Sequence, residues 1–273
     1  MAAAARAAHL VVDDTPSIFV DSLAARLLGD HAEEPIGYHR AHGSHPVLAG
    51  ARAHAVVRSR YTEDRLARST VTQYVILGAG LDTFAYRAEL GRQVRVFEVD
   101  HPATQRWKRE LAAAATLSQP GTVRFVPVDL GSHALVDRLV DAGFDTAQPA
   151  LVSWLGVTMY LERDAIARTV ADLGRLAPGS ELIVEYLLPS RLRDEAGDAY
   201  AALVARAAGD GGEPWLSYLA PGDMSALLAE HGFGPTRHVR QRDAIGAALW
   251  RRSDSLRPMD LMVIAHAAVR PRL

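Results

Sequence analysis

Three short stretches place carboxylates where they could hold a small organic molecule. In QYVILGAGLDTFAYR, residues 73–87, an apolar run stops at Gly78-Ala79-Gly80, and Asp82 follows at once. Two glycines around an alanine permit a tight turn and a close approach of backbone N–H groups to a ligand. In VRVFEVD, residues 94–100, Glu98 and Asp100 stand two apart and would face the same side of a strand. An acid at the end of a second strand, about 20 residues past a glycine turn, suits the hydroxyls of a ribose. In VRFVPVD and the residue after it, Asp129 could accept from an adenine amino group while Leu130 covers the ring face. Each stretch has a plainer reading. The glycines could serve chain reversal only, Asp100 could cap a helix opened by His101-Pro102, and Asp129 could cap a helix from Ser132.

The turn also bears on which molecule is bound. A dinucleotide site wants a third glycine three positions after the second, so that a pyrophosphate meets a helix N-terminus. That position is Thr83, and Asp82 would put a negative charge beside the phosphates. Both features argue against NAD or FAD. S-adenosylmethionine carries no phosphate, and its sulfonium and amino groups are cationic, so a carboxylate at the turn suits it.

Other groups could do chemistry. His39, His42 and His45 stand three apart in YHRAHGSHP. They could hold a metal or supply a base, but no carboxylate or thiolate lies in the same segment, and the expectation is a mobile loop over the site without metal. Trp215 and Tyr218 could wall a flat substrate or simply pack a surface insertion. Cysteine is absent, and Lys108 is the only lysine, which excludes thiolate chemistry and a Schiff base elsewhere.

These residues need a frame. The chain has 273 residues, 49% hydrophobic and 23% charged, with a formal net charge of −2. That balance fits a globular protein and gives no support to a nucleic-acid partner. No apolar run approaches the ~20 residues of a membrane span. The opening MAAAARAAHLVVDD is too short in apolar length for a secretory signal, and the expected location is cytoplasmic. The spacing predicts helices over 17–29 and 51–67 with a loop over 31–50 between them. Strands are predicted over 73–77, 94–99, 123–128, 150–154, 181–187 and 259–268. Helices are predicted between them over 102–116, 133–142, 162–176 and 222–231. Strand–helix alternation implies an open, doubly wound, mostly parallel α/β sheet of the Rossmann-like kind. Residues 1–70 would form a helical N-terminal cap on one domain, and 188–220 an insertion near the ligand mouth.

The motifs in their order resemble the leucine carboxyl methyltransferase-like group of class I S-adenosylmethionine-dependent methyltransferases. LGAGLDT at 77–83, FEVDHPATQRWK at 97–108, VPVDL at 126–130 and SWLGVTMYL at 153–161 carry the likeness, with VRSRYTEDRL at 57–66, GEPWLSYLAPGDMSALLAEHGF at 212–233 and SDSLRPMDLMVIAHA near the end. The bacterial branch of that group includes polyketide O-methyltransferases.

The resemblance implies roles by position. Arg58 would pair with the cofactor's methionine carboxylate, with Arg60 as the competing choice, and Gly78 with its neighbours Ala79 and Gly80 would contact the methionine portion. Asp100 would take the ribose, with Glu98 as a second candidate; Asp129 and Leu130 would contact adenine. A glutamate that follows the fourth strand in the protein-phosphatase methyltransferases is Leu155 here, and an N-terminal lysine of those enzymes falls loosely on His9. Both departures separate this chain from that subgroup's substrate. Tyr160 would line the channel where donor and acceptor meet, or be an ordinary half-buried tyrosine. The implied partner is a small-molecule acceptor, methylated on a carboxylate or acidic hydroxyl without an obligatory base. Rival readings are a phenolic acceptor with a histidine base, a nicotinamide oxidoreductase, and a cofactor-binding protein without turnover.

Overall fold

The computed structural model describes residues 2–130 and 135–271. Its strands are β1 (Gln73–Leu77), β2 (Arg95–Asp100), β3 (Val123–Pro127), β4 (Leu151–Trp154), β5 (Glu181–Leu187), β6 (Arg237–Arg240) and β7 (Met262–Ala268). They form one sheet in the order β3-β2-β1-β4-β5-β7-β6, parallel except for β7, which runs against both neighbours. The strand order reverses between β1 and β4. In open α/β sheets that reversal opens a crevice at the carboxyl ends of the strands.

β1 is buried at every position, because helices cover both faces of the sheet. On one face Val75, Leu77, Val152, Trp154 and Val184 pack against α7 (Leu135–Asp141), α8 (Arg163–Leu173) and α10 (Pro221–Glu230). On the other, Tyr74, Ile76, Leu151 and Ile183 meet α5 (Phe84–Arg87) and the end of α4 (Pro46–Ala67). Continuous apolar runs such as VFEV and LVSW are what a strand covered on both faces requires. α6 (Pro102–Ala114) opens with proline in its first turn as expected; its cap is the His101 side chain, which accepts from Ala103 N at 3.2 Å.

The N-terminal cap departs from the expectation in three places. Residues 31–50 are not a loop: α3 (Glu33–His42) fills half of the segment, and α4 begins at Pro46. The helix expected over 17–29 shrinks to α2 (Ala24–Leu28). Ile18 and Phe19 instead join a cluster with Ala49, Ala53, Val56 and Leu256, and tertiary burial outweighs the helical periodicity of the segment. Residues Ala2–Val12 form α1, whose run of alanines is the best helix-forming composition available. The short β6 also escaped prediction, because RHVR carries a single apolar residue. The helix expected over 133–142 begins outside the described residues and is seen as α7. The 188–220 segment contains α9 (Glu195–Asp210), capped by Asp194, which accepts from Gly197 N at 2.8 Å. α9 docks on α4 where Gly50 leaves room: a Cβ there would meet the Tyr200 ring at 2.8 Å.

Candidate active site at the carboxyl edge of the sheet

The glycine turn after β1 is held from three sides. Gly78 and Gly80 both have positive φ, 65° and 48°, which other residues adopt at a cost. Gly78 N and Ala79 N donate to Val99 O at 2.8 and 3.1 Å. Gly80 N donates to Asp100 Oδ2 at 2.5 Å. A side chain at Gly78 would overlap Val157 Cγ2, from the loop after β4. The turn thus continues β1, bonds to the end of β2 and packs against the loop after β4. Asp82 accepts from Phe84 N at 2.7 Å and so caps α5.

Behind the turn lies a buried polar network that sequence reading missed. Asp21 accepts from Thr83 Oγ1 at 2.6 Å and from Arg6 Nε at 2.7 Å, while Arg6 Nη2 donates to Leu81 O at 2.8 Å. Desolvation pushes the Asp21 carboxyl up, but Arg6, Thr83 and Arg87 together outweigh it and hold it below the usual range. Thr83, the residue that replaces a third glycine, therefore ties the turn to the N-terminal helices.

Asp100 ends β2 at the crevice. Its Oδ1 accepts from His101 N at 2.7 Å and its Oδ2 from Gly80 N. It braces the turn rather than capping α6, a task that His101 performs. Glu98, the second ribose candidate, turns inward. Its side chain is 1% exposed and pairs with Lys108 Nζ at 2.6 Å, so it serves the interior. Burial raises its pKa, and Lys108 offsets this only in part. Asp129 is exposed beyond β3, and Leu130 is half-buried against the core. Ser132, the possible helix cap partner, lies outside the described residues.

α4 brings a guanidinium over the other flank. Arg58 Nη1 donates to Glu185 Oε2 at 2.7 Å, with side chains 15% and 3% exposed. It lies against Gly156, whose φ of 70° and missing side chain make room for it. Leu155 packs beside it in the cluster under α4. Arg60 points elsewhere: it is half-exposed, bonded to Asp64 at 2.7 Å and to Ile18 O at 3.3 Å. Residues two apart on a helix face different directions, so Arg58 reaches Glu185 at the end of the sheet while Arg60 does not. Glu185 was missed, although a glutamate near the carboxyl end of the apolar strand ELIVEYL is a readable signal, because glutamate is seldom buried unpaired.

The acceptor side follows β4. Tyr160 is 39% exposed in a short turn that Thr158 anchors by donating to Glu185 O at 2.7 Å. Trp215 and Tyr218 pack on a cluster with Met159, Tyr200, Met259 and Leu261. Arg193 also lies over the Tyr218 ring at 5.2 Å.

The histidine expectation is overturned in its loop. His39 is buried in α3 and shares a hydrogen bond with Arg52 Nη1 at 3.1 Å. Burial, then Arg52, lowers its pKa. His42 ends α3, and His45 caps α4 by accepting from Val47 N at 3.3 Å. Among the described residues no group of three His, Cys, Asp or Glu could hold a metal, and no helix is long and apolar enough to cross a membrane. His9 is also structural: it bonds Asp13 at 2.9 Å and accepts from Ile18 N at 3.0 Å.

His54, one turn before Arg58, went unnoticed in the sequence. Gln241 Nε2 lies 3.2 Å from its Nδ1, and its Nε2 is buried without a partner. Burial, helped by Arg58, drives its pKa down to about 3. A histidine kept neutral in the fold contributes stability above its unfolded pKa of about 6.5 and loses it as pH falls towards about 3. His54→Gln keeps an acceptor for Gln241 and cannot titrate. Thermal melts from pH 7 to 4 should show the wild type losing about a kcal/mol per pH unit more than the variant; parallel curves would refute the assignment.

The residues at this edge suit S-adenosylmethionine: Arg58 offers a guanidinium, Asp100 a carboxylate and the glycine turn room for close approach, while Thr83 stands where a pyrophosphate site wants a third glycine. Solved structures share the fold. A Streptomyces avermitilis protein of the DUF574 family matches with TM-score 0.63 at 16% identity, covering 91% of this chain and 97% of that one. A Thermobifida fusca protein described as a methyltransferase matches with TM-score 0.60 at 19% identity, covering 97% and 98%. Sheet order and crevice thus define a class I methyltransferase fold.

Sequence comparison is more specific. The family model for leucine carboxyl methyltransferases matches residues 1–174. The YktD protein of Bacillus subtilis (strain 168), whose name assigns it to the S-adenosyl-L-methionine-dependent methyltransferases, is 32% identical over 78% of this chain and 71% of its own length. A Mycobacterium tuberculosis relative with the same assignment, Rv3787c, is 40% identical over 52% of this chain and 47% of its own. The match thus spans 71% of the Bacillus relative but about half the length of the mycobacterial one. The chain belongs to the leucine carboxyl methyltransferase family of S-adenosylmethionine-dependent enzymes.

Proposed function

We propose that the chain transfers a methyl group from S-adenosylmethionine to a carboxylate or acidic hydroxyl oxygen of a small organic molecule, including acids of the polyketide type. The observation that carries this reading is the commitment of the histidines. His39 holds Arg52, His45 caps α4, and buried His54 stays neutral with a pKa of about 3. None of these three is left as an evident base, exposed His42 packs on Tyr38 at the end of α3, and a carboxylate acceptor needs no base, being ionised at pH 7. A phenol, with a pKa near 10, would gain from one.

When bound, S-adenosylmethionine would supply an electrophilic methyl carbon with a neutral thioether as leaving group, so a carboxylate acceptor would have no proton to lose. The chain's part is positioning. Arg58 would fork onto the amino-acid carboxylate, Asp100 would accept from the ribose hydroxyls, and Asp129 with Leu130 would meet the adenine. Gly78, Ala79 and Gly80 would let the backbone approach, and Leu155 would cover the apolar side. Tyr160, Trp215 and Tyr218 would line the acceptor and exclude water beneath the 188–220 segment. Holding the two reactants in line can lower the barrier by roughly 7–11 kcal/mol at best.

The test is transfer from methyl-tritiated cofactor to a panel of small carboxylic acids, phenols and amines. Label should enter the acids as esters and leave as methanol in mild alkali. Alkali-stable label confined to phenols or amines would overturn the reading. Binding of S-adenosylhomocysteine with no transfer to any member would favour a protein without turnover.

A further inference from the structure

We infer that Glu185 is a cofactor-binding residue: it receives the α-ammonium of the same amino-acid head whose carboxylate meets Arg58. The inference rests on that reading of Arg58.

The geometry comes from the sheet. β4 and β5 run parallel with Trp154 abreast of Val184, so the next step along both strands sets residue 155 beside residue 185. Side chains alternate along a strand. Glu185 therefore shares the face of Ile183, which lines the cluster that Leu155 packs against. α4 covers this face and delivers Arg58. The result is one cation and one anion, 2.7 Å apart, at the carboxyl end of the sheet next to Gly156.

Stability is a poor reason to keep such a pair. Two charges lose hydration on burial, and apolar residues of similar volume often serve as well or better. An amino-acid head, however, carries a carboxylate and an ammonium side by side. A guanidinium and a carboxylate presented together match both, whereas either alone would leave one ligand charge desolvated and unanswered. Glu185 can answer it while holding Arg58, because a carboxylate has two oxygens and about four lone-pair sites. Leu155, its lateral neighbour, is apolar and competes for neither charge.

The experiment is calorimetric titration of the full chain with S-adenosylhomocysteine and with its desamino analogue, in which hydrogen replaces the ammonium. The wild type should prefer the parent by about tenfold or more, the scale of one hydrogen bond to a charged group. Glu185→Gln should abolish the preference, lowering parent affinity to the analogue's level and leaving the analogue within about twofold. Equal weakening of both ligands would mean that Glu185 only positions Arg58, and no weakening would mean that it touches neither; either result overturns the proposal. Should Glu185→Gln fail to fold, Glu185→Asp must shrink the preference by withdrawing the charge one methylene, and an unchanged preference is refuting. If the wild type binds neither compound, the placement of the cofactor itself falls. If it binds both equally, only the Glu185 inference falls.

Discussion

Arg58→Met should weaken S-adenosylhomocysteine binding by about 30-fold or more while leaving 5′-methylthioadenosine, which lacks the amino-acid head, within about twofold. Truncating one member of a buried, hydrogen-bonded charge pair costs about 2–5 kcal/mol, and Arg58 is only 15% exposed over Glu185. The variant loses the fork onto the ligand carboxylate and leaves Glu185 without its cation. Arg58→Lys should fall between the two, because an ammonium is a point charge and cannot fork. Arg60→Met is the matched control: its guanidinium serves Asp64 and Ile18 O, so affinity should hold. Calorimetry that found Arg60→Met damaging and Arg58→Met harmless would reverse the placement of the cofactor head.

The second large effect is on stability. Lys108→Met should cost about 3–5 kcal/mol, since it strands Glu98 as an unpaired buried carboxylate. Both side chains are 1% exposed, and Glu98 Oε1 already lacks a partner. Burial has raised the Glu98 pKa even with the lysine present, so the lone carboxyl would be forced to take up a proton. The double variant Glu98→Leu/Lys108→Met should recover most of the loss, because two packed apolar chains need no hydration. Urea unfolding with an unchanged slope would read both values. A double variant as unstable as the single would show that the pair gives more than mutual neutralisation. Glu98 sits two residues before Asp100, so the single variant should also loosen cofactor binding at a temperature where the fold survives.

Much of the frame is legible in the sequence. The run YVIL is apolar without alternation, and VFEV and LVSW are apolar but for Glu98 and Ser153, a pattern that fits strands covered on both faces. Their spacing with helices such as 102–116 therefore fixed a parallel sheet, and the polar residues at their ends marked its carboxyl edge. Gly78 and Gly80 gave away the turn, since their positive φ demands residues without a side chain. Leucine carboxyl methyltransferase motifs could be read in order from the same letters. The helical cap was less legible. His, Gly and Pro crowd residues 31–50 and mask α3, and Ile18 and Phe19 keep a helical spacing yet pack outside any helix.

Local pattern thus determined the class of fold, the position of the crevice and the case against a dinucleotide, because periodicity and turn chemistry act between near neighbours in the chain. Which charges meet was decided by the tertiary structure alone. Glu98 and Asp100 look equivalent in VFEVD, yet one turns inward to Lys108 and the other braces Gly80. Arg58 and Arg60 look equivalent in RSR, yet only one finds Glu185, 127 positions away. A buried charge costs so much without a partner that the fold must choose one for it, and partners so far apart in sequence leave no local trace.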